Sequence, residues 1–458
     1  MKMEAISNIS RMPKNIALDN LPYIVAKILN GAEVTLNYEN KKDVACILFD
    51  GESNIMHFED FLVCKTIAAE IYKEFVEANR IESSYQTLSN TFKILCKARS
   101  RIERIYDNKT AGKRKIIAIK GDDSGCGYWR MVLPVRALDY KEYCVDVSTV
   151  EVVYEYLLEY DVIFVQRVST WSAYYVIEKL KKLGKTIIYD IDDNLFDVPD
   201  FHPAKRKFGN DMREAASAIM LLSDKIVVTT SNLKNVLVCN ISDTLKDKIE
   251  IIPNSIDLKN FERKNKYPEK MEEPFRIFWS GSATHEYDFM MCIDALDKFL
   301  LNHKNDKISL LFMGYLPMCI REKAGKEHWK NRVEFVEFKD IETYFKMLRQ
   351  VDADIGIAPL VDCKFNEAKS NIKWQEYTMA GMPVLASDVG PYKETIIHGQ
   401  TGFLASNEQE WLMILEDKFK NRQASSWGMI VDNARKEIDE NYNIDKNAKM
   451  WKSVFSNN

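Results

Sequence analysis

The spacing of apolar and polar positions changes character along the chain. Residues 1–112 are mixed: 34–38 and 44–49 read as short strands, and 61–78 and 81–106 as helices. From residue 113 onward, short runs that are apolar almost throughout take over, at 115–121, 162–165, 186–189, 225–229 and 249–252. Between them the periodicity predicts helices over 127–139, 149–159, 171–183, 209–222 and 231–239. A polar, proline-containing stretch at 255–274 interrupts this rhythm, which restarts with strands at 275–279, 308–313, 333–336, 355–358 and 383–386. Helices are expected there over 286–302, 340–350, 369–380, 408–418 and 424–436. Strands with no polar face belong in parallel sheets covered by helices on both sides.

That alternation predicts an α/β protein with two Rossmann-like parallel-sheet domains facing a cleft. An N-terminal extension would occupy 1–112, the first sheet domain 113–258, a linker 259–274 and the second sheet domain 275–436. A helical tail over 437–458 would cross back to the first sheet domain. Ligands in such sheets sit beyond the carboxyl ends of the strands, so the residues just after each strand carry the functional reading.

Composition narrows the classes without choosing one. Apolar residues make up 46% and charged residues 29% of 458, which excludes a wholly disordered chain. Lys plus Arg (64) against Asp plus Glu (68) gives −4, so no global charge draws the chain to nucleic acid. Residues 97–120 are a local exception, with nine Lys or Arg against Glu103 and Asp107. They read either as a solvated helix and linker or as a contact to an anionic membrane or polymer. The nine cysteines are scattered and form no Cys-x-x-Cys pair, which predicts reduced thiols in a cytoplasmic protein. No apolar run reaches the roughly 18 residues of a membrane span, leaving peripheral membrane contact as the expectation for any lipid association.

The first post-strand loop reads Gly121-Asp-Asp-Ser-Gly-Cys-Gly-Tyr-Trp-Arg130. Gly125 and Gly127 permit close backbone approach to a phosphate or sugar, or simply a turn, and Arg130 lies in the first helical turns beyond them. Asp190-Ile-Asp-Asp-Asn-Leu-Phe196 follows another strand. On an extended backbone Asp190 and Asp192 point to one side and Asp193 to the other. Such a cluster suits hydroxyl binding, base catalysis or Mg²⁺, and equally a helix cap with solvated neighbours. It also has the shape of an aspartate-nucleophile phosphatase motif, with Asn194 at the Thr/Val position and no later partners in evidence. His202, between Phe201 and Pro203, reads as a residue at a site mouth or an idle loop histidine, and no histidine pair suggests a metal.

The second domain opens with Trp279-Ser-Gly-Ser-Ala-Thr-His285, in which Gly281, Ser282 and His285 form a second candidate phosphate loop. The densest segment runs from Phe365 to Pro383. In it Asn366 can accept amide hydrogen bonds. Lys369 and Lys373 stand four apart, on one face if the segment is helical, with Glu376 three further on. Two cations could neutralise a diphosphate, Ser370 could assist, and Glu376 could grip ribose hydroxyls at the far end. An exposed charged helix accounts for the same spacing.

Taken in order, these segments resemble the GT-B glycosyltransferases, and more closely the retaining nucleotide-sugar enzymes of family 4. The resemblance covers roughly 115–450 and includes Ile252-Pro-Asn-Ser-Ile-Asp257 and the late run from Gly390 to Phe403. It implies transfer of a sugar from a nucleotide-diphosphate sugar, with retention and without a metal or other cofactor. The acceptor-side domain would come first and the nucleotide-sugar-binding domain second. Glu376 matches the second glutamate of the family's Glu-x7-Glu motif. The first glutamate falls at 376 − 8 = 368, where this chain has Ala368, with Glu367 one position away. The family's Arg and Lys after the strand ending at Gly281 are absent as well.

The resemblance and the residues together nominate Lys369, Lys373, Asp192 and Asp193 as catalytic candidates, although the mechanism it implies needs no carboxylate nucleophile. Gly125, Gly127, Arg130, Gly281, Ser282, His285, Asn366, Glu367, Ser370 and Glu376 are donor-binding candidates, and Asp190 and His202 acceptor-side candidates. Acceptors in view are a saccharide, a protein, a lipid-linked glycan or a modified nucleobase. An aspartate-dependent phosphohydrolase and a non-catalytic nucleotide- or sugar-binding protein are the alternatives.

Overall fold

The computed structural model describes 35–37, 45–49 and 52–56, then 112–456 apart from 123–124, 139–142, 149–156, 207–208, 262–273, 339 and 423–424. The helices expected over 61–78 and 81–106, and most of those over 149–159 and of the basic segment 97–120, lie outside these residues. The chain divides into two compact units. One is Met1–Lys120 with Leu138–Phe164 and Leu180–Thr186, and the other is Gly121–Ala137 with Val165–Lys179 and Ile187–Asn458.

Near the N-terminus, β1 (Thr35–Asn37), β2 (Ala45–Phe49) and β3 (Glu52–Met56) form an antiparallel sheet in that order. The third strand was not expected. Next come β4 (Arg114–Ile119), β5 (Tyr143–Ser148), β6 (Val162–Gln166), β7 (Thr186–Ile191), β8 (Lys225–Val228) and β9 (Ile249–Ile251). Their sheet has the order β5-β4-β6-β7-β8-β9. The last set is β10 (Phe275–Ser280), β11 (Ile308–Met313), β12 (Val333–Val336), β13 (Ile355–Ala358), β14 (Val384–Ser387) and β15 (Phe403–Ala405). Here the order is β12-β11-β10-β13-β14-β15, with every pairing parallel. Two parallel sheets with flanking helices and an extra N-terminal region make a GT-B-like α/β architecture.

Burial explains why the central strands are apolar on both faces. All five residues of β6 and all four of β13 and β14 are buried. Phe275, Ile277 and Trp279 on β10 pack with Phe289, Leu296, Phe299, Trp411 and Trp427 from the covering segments. Each large side chain removed from water in such a cluster contributes roughly 1.5–3 kcal/mol before chain entropy is counted.

Two expected helices are broken, each for a visible reason. The segment foreseen as one helix over 286–302 is a 3₁₀ turn at Ala283–Met291 followed by an α-helix at Ile293–Asn302. Residues three apart eclipse in a 3₁₀ turn, and His285 Nδ1 meets Asp288 Oδ2 at 2.7 Å. The segment foreseen over 369–380 is a short helix at Lys364–Glu367, a link, and a helix at Ile372–Met379. Asn232 Nδ2 donates to the Glu367 carbonyl at 3.2 Å and Thr230 Oγ1 to the Ala368 carbonyl at 3.1 Å. Side chains thus take acceptors that a continuous helix would need for its own ladder. Lys369 therefore sits in the link and does not share a helical face with Lys373.

The C-terminal helix Ile444–Phe455 follows an isolated parallel bridge between Ile256 and Asn443. Its Trp451 is buried beneath the Arg130 guanidinium, 5.1 Å from the ring centre. Asn447 Nδ2 donates to Ser255 Oγ at 2.9 Å, and Lys225 Nζ to the Ser453 carbonyl at 2.7 Å.

Candidate functional site

Strand β10 ends at Ser280, where five side chains converge. Lys373 Nζ donates to the Ser280 carbonyl at 2.8 Å and lies 5.5 Å from the Trp279 ring centre. The Ser280 amide donates to Tyr377 Oη at 2.9 Å, and Ser280 Oγ lies 3.0 Å from Tyr344 Oη. Tyr344 Oη donates to Glu376 Oε2 at 2.7 Å. Lys373 and Glu376 project from the first turns of Ile372–Met379, and both are buried. Burial pushes the Lys373 ammonium down to about 8 although Glu376 works to raise it. It likewise pushes the Glu376 carboxyl up to about 7 against the pull of Lys373. Each group has lost water without gaining a full set of charged partners.

A second knot forms around Asp288. His285 bonds one oxygen, while Asn366 Nδ2 at 2.9 Å and the Val361 amide at 3.0 Å bond the other. Burial, followed by Lys373, pushes the His285 imidazole down to about 4, so it is neutral at ordinary pH. For Asp288, burial acts to raise the carboxyl, but the His285 hydrogen bond and the Val361 amide outweigh it and the net shift is downward. Asn366 Nδ2 also donates to the Val361 carbonyl at 2.9 Å, so the two hydrogen bonds of its amide nitrogen both go to protein.

The link between the two short helices meets residues that follow β7. Lys369 Nζ lies 4.0 Å from Asp193 Oδ1 and 4.7 Å from the Phe365 ring centre. The His202 ring packs 4.6 Å from the same Phe365, and burial followed by Lys369 lowers its pKa. Phe201 and Tyr287, both exposed, approach to 5.1 Å. Asn194 Nδ2 reaches the Lys364 carbonyl at 3.3 Å. Ser370 Oγ accepts from Asn254 Nδ2 at 2.9 Å, and the Glu367 side chain is exposed.

The two glycine loops differ in what they demand. At Gly127 a Cβ would fall 2.0 Å from the Asp122 carbonyl oxygen, so the chain can turn into Tyr128–Val132 only without a side chain. At Gly281 a Cβ would lie 2.5 Å from the fully buried Trp279 ring. Gly125 has only ordinary contacts, and Ser282 Oγ meets Thr284 Oγ1 at 2.7 Å at an exposed turn.

Arg130 and Asp190 meet each other. Arg130 Nη2 and Nε approach Asp190 Oδ2 at 2.7 and 3.0 Å, and Nη1 donates to the Ile252 carbonyl at 2.7 Å and to Asn254 Oδ1 at 3.2 Å. Both side chains are fully buried. Burial pushes the Asp190 carboxyl up to about 6 against the pull of Arg130. The guanidinium occupies the carboxylate that the phosphatase alternative would use as its nucleophile.

One residue not foreseen from the sequence is Arg167, directly after β6. Its backbone is left-handed, with φ of 51°, a conformation that costs a non-glycine residue roughly 1–2 kcal/mol. The guanidinium bonds Asp122, lies 3.4 Å from Asp193 Oδ2 and 3.6 Å from Asp192 Oδ1. A lone arginine carries no spacing signal, but its place at the carboxyl end of the Val-Ile-Phe-Val strand was available. Among the described residues no group of three or more His, Cys, Asp or Glu is placed to hold a metal ion, and no helix is long and apolar enough to cross a membrane.

Residues 260–423 match the family model described as glycosyl transferases group 1. An uncharacterized glycosyltransferase of Methanocaldococcus jannaschii is 26% identical over 245 residues, 50% of this chain. The match spans 59% of that relative's length. Among solved structures, Anabaena HepE in complex with UDP and glucose superposes with a TM-score of 0.58 at 14% identity, covering 74% of this chain and 99% of HepE. Sucrose-phosphate synthase from Thermosynechococcus elongatus gives 0.57 at 16% identity, over 75% and 98% of the two chains. With its two parallel sheets and a glycosyl transferases group 1 match over the segment that carries Lys369, Lys373 and Glu376, the chain has a GT-B-like fold.

Proposed function

We propose that this chain transfers a sugar from a nucleotide-diphosphate sugar to an acceptor, with retention of anomeric configuration. The observation that carries the reading is the buried, incompletely compensated pair of Lys373 and Glu376 at the end of β10. As the bond from sugar to diphosphate stretches, negative charge grows on the departing oxygen, and a desolvated ammonium stabilises it more than water would. Lys373 is the principal group in that role, and Lys369 adds a second cation. Glu376, held by Tyr344, accepts hydrogen bonds from the ribose hydroxyls at the far end of the nucleotide. Retention follows when the acceptor attacks the face the diphosphate leaves and a donor phosphate oxygen takes its proton.

Residues 113–258 form the acceptor side of this reading and 275–436 the donor side. Two things support it: the family match spans the segment holding all three charged residues, and HepE, of the same fold, binds UDP-glucose. UDP-hexoses are therefore the first donors to try. The test is release of nucleoside diphosphate from a panel of nucleotide sugars, followed by mass analysis of products on candidate acceptors. Turnover in the wild type and its loss in Lys373→Ala is the expected result. Phosphate release from simple phosphomonoesters, with no nucleotide-sugar turnover, would overturn it.

A further inference from the structure

Around Arg167 the structure gathers three carboxylates, from Asp122 after β4 and from Asp192 and Asp193 after β7. Lys369 stands 4.0 Å from Oδ1 of Asp193, the oxygen other than the one Arg167 approaches. Three acids against two cations leave the group acidic, which disfavours a phosphate and suits a donor of neutral hydrogen bonds. Most of these oxygens are occupied. Asp193 is shared between Arg167 and Lys369, and Asp122 bonds Arg167 while its Oδ1 accepts from the Gly127 amide at 3.2 Å.

Asp192 is different. Its side chain is only 9% exposed, and Oδ1 is buried without a hydrogen-bond partner, its nearest cation being Arg167 Nε at 3.6 Å. A buried acceptor left in this state costs free energy unless a ligand or water completes it. Burial, opposed by Arg167 and reinforced by Asp193, also raises the Asp192 carboxyl above its usual range.

We propose that the Arg167 cluster is a hydroxyl-binding subsite for an uncharged sugar ring, in which Asp192 Oδ1 accepts a hydrogen bond from a sugar hydroxyl and Arg167 is the positioning residue that fans the three carboxylates. The inference rests on the glycosyl-transfer reading, because it places this subsite across Lys369 from the diphosphate. The left-handed turn at Arg167 is consistent with this role, since it brings the guanidinium among acids from two different strand ends. Hydroxyls of the donor hexose and hydroxyls of an acceptor saccharide have the same chemistry here.

Calorimetry with two arms separates those sources. In the first, UDP, UDP-glucose, UDP-N-acetylglucosamine, GDP and GDP-mannose are titrated into wild type, Asp192→Ala, Asp192→Asn and Arg167→Lys. In the second, glucose, mannose, galactose and N-acetylglucosamine are titrated into the same proteins saturated with the best-binding nucleotide. The expected result is that Asp192→Ala weakens the sugar-dependent part of binding about tenfold or more in one arm, while affinity for the bare nucleotide stays within twofold. Asp192→Asn keeps a neutral acceptor and restores part of the loss. Arg167→Lys keeps a cation without the fork and loses sugar binding as Asp192→Ala does, again with nucleotide affinity retained. Loss in the first arm assigns the donor ring, and loss in the second an acceptor ring. Thermal unfolding confirms that each variant is folded, and the isosteric Asp192→Asn carries the test if Arg167→Lys is not. Wild-type nucleotide binding with both arms unchanged in folded Asp192 variants would overturn the subsite alone. No binding of any nucleotide or nucleotide sugar by the wild type would overturn the glycosyl-transfer reading and the subsite with it.

Discussion

Arg130 with Asp190 and Lys373 with Glu376 are buried charged pairs that are built differently. Arg130 and Asp190 satisfy each other, and the remaining guanidinium donors reach the Ile252 carbonyl and Asn254. Lys373 and Glu376 instead lean on neutral groups, the Ser280 carbonyl and the Tyr344 hydroxyl, and both titrate nearer neutrality than they would in water. A saturated pair stabilises a fold and has little left to offer a ligand. An undersaturated pair is one that a diphosphate and a ribose can complete. Burial alone does not separate structure from function here; the identity of each charge's partners does.

The largest expected effect falls on the saturated pair. Arg130→Ala strands the Asp190 carboxylate in a dry setting, which should cost about 3–5 kcal/mol of unfolding free energy, read from urea titration. Lost stability below about 1 kcal/mol would mean that the pair is not buried as described. Next comes Lys373→Ala. Removing a preorganised charge-stabilising donor should lower turnover about 10²- to 10³-fold in the nucleotide-sugar assay. Its stability should change far less than that of Arg130→Ala, because the lost ammonium was already poorly compensated. Wild-type turnover in that variant would erase the contrast between the pairs.

The undersaturated pair should also shape the pH dependence of the unliganded protein. Glu376 is raised from 4.5 to about 7, so the folded chain binds more protons than the unfolded one across that window and stability falls as pH rises through it. Lys373 is lowered from 10.5 to about 8, so the unfolded chain binds more protons from 8 to 10.5 and stability climbs again. The two shifts give a minimum between about pH 7 and 8, with slopes of at most about 1.4 kcal/mol per pH unit per group. Glu376→Gln should flatten the falling limb and weaken nucleotide binding roughly tenfold. Melting temperatures from pH 4.5 to 9 and calorimetry check the two halves separately. A monotonic profile for the wild type would contradict the burial of both groups.

Much of the sheet architecture was legible because β4, β6 to β8, β10, β11, β13 and β14 are apolar runs whose residues are nearly all buried. Strands β5 and β15 were missed, and both lie at sheet edges. In Tyr143–Ser148 the apolar run is interrupted by Asp146 and ends in Ser148, and Phe403–Ala405 is only three residues long. The breaks at 368–371 and 292 were illegible for another reason: Thr230 and Asn232 at the first, and the Asn366 and Val361 groups that hold Asp288 near the second, come from distant parts of the chain. Lys369 was placed on a helical face by its spacing, and the structure puts it in the link instead. For the candidate site, residue types and order pointed to the Lys373–Glu376 region. The partners that distinguish Asp190 from Asp192 lie on Arg130 and Arg167, and no sequence spacing connects them.

The smallest expected effect concerns Glu367, one position from Ala368, which stands where the family that the sequence resembles has its first motif glutamate. Its side chain is exposed, whereas its carbonyl is bonded by Asn232. Because backbone rather than side chain makes that contact, Glu367→Ala should alter unfolding free energy by no more than about 0.5 kcal/mol. Turnover is the sharper measure. If the carboxylate swings in to grip donor-sugar hydroxyls, its loss should cost roughly tenfold or more in kcat/KM, with affinity for bare nucleotide unchanged. A change below about twofold would give the Glu367 carboxylate no part in sugar binding, and would make Ala368 a true loss of the motif rather than a shift by one residue.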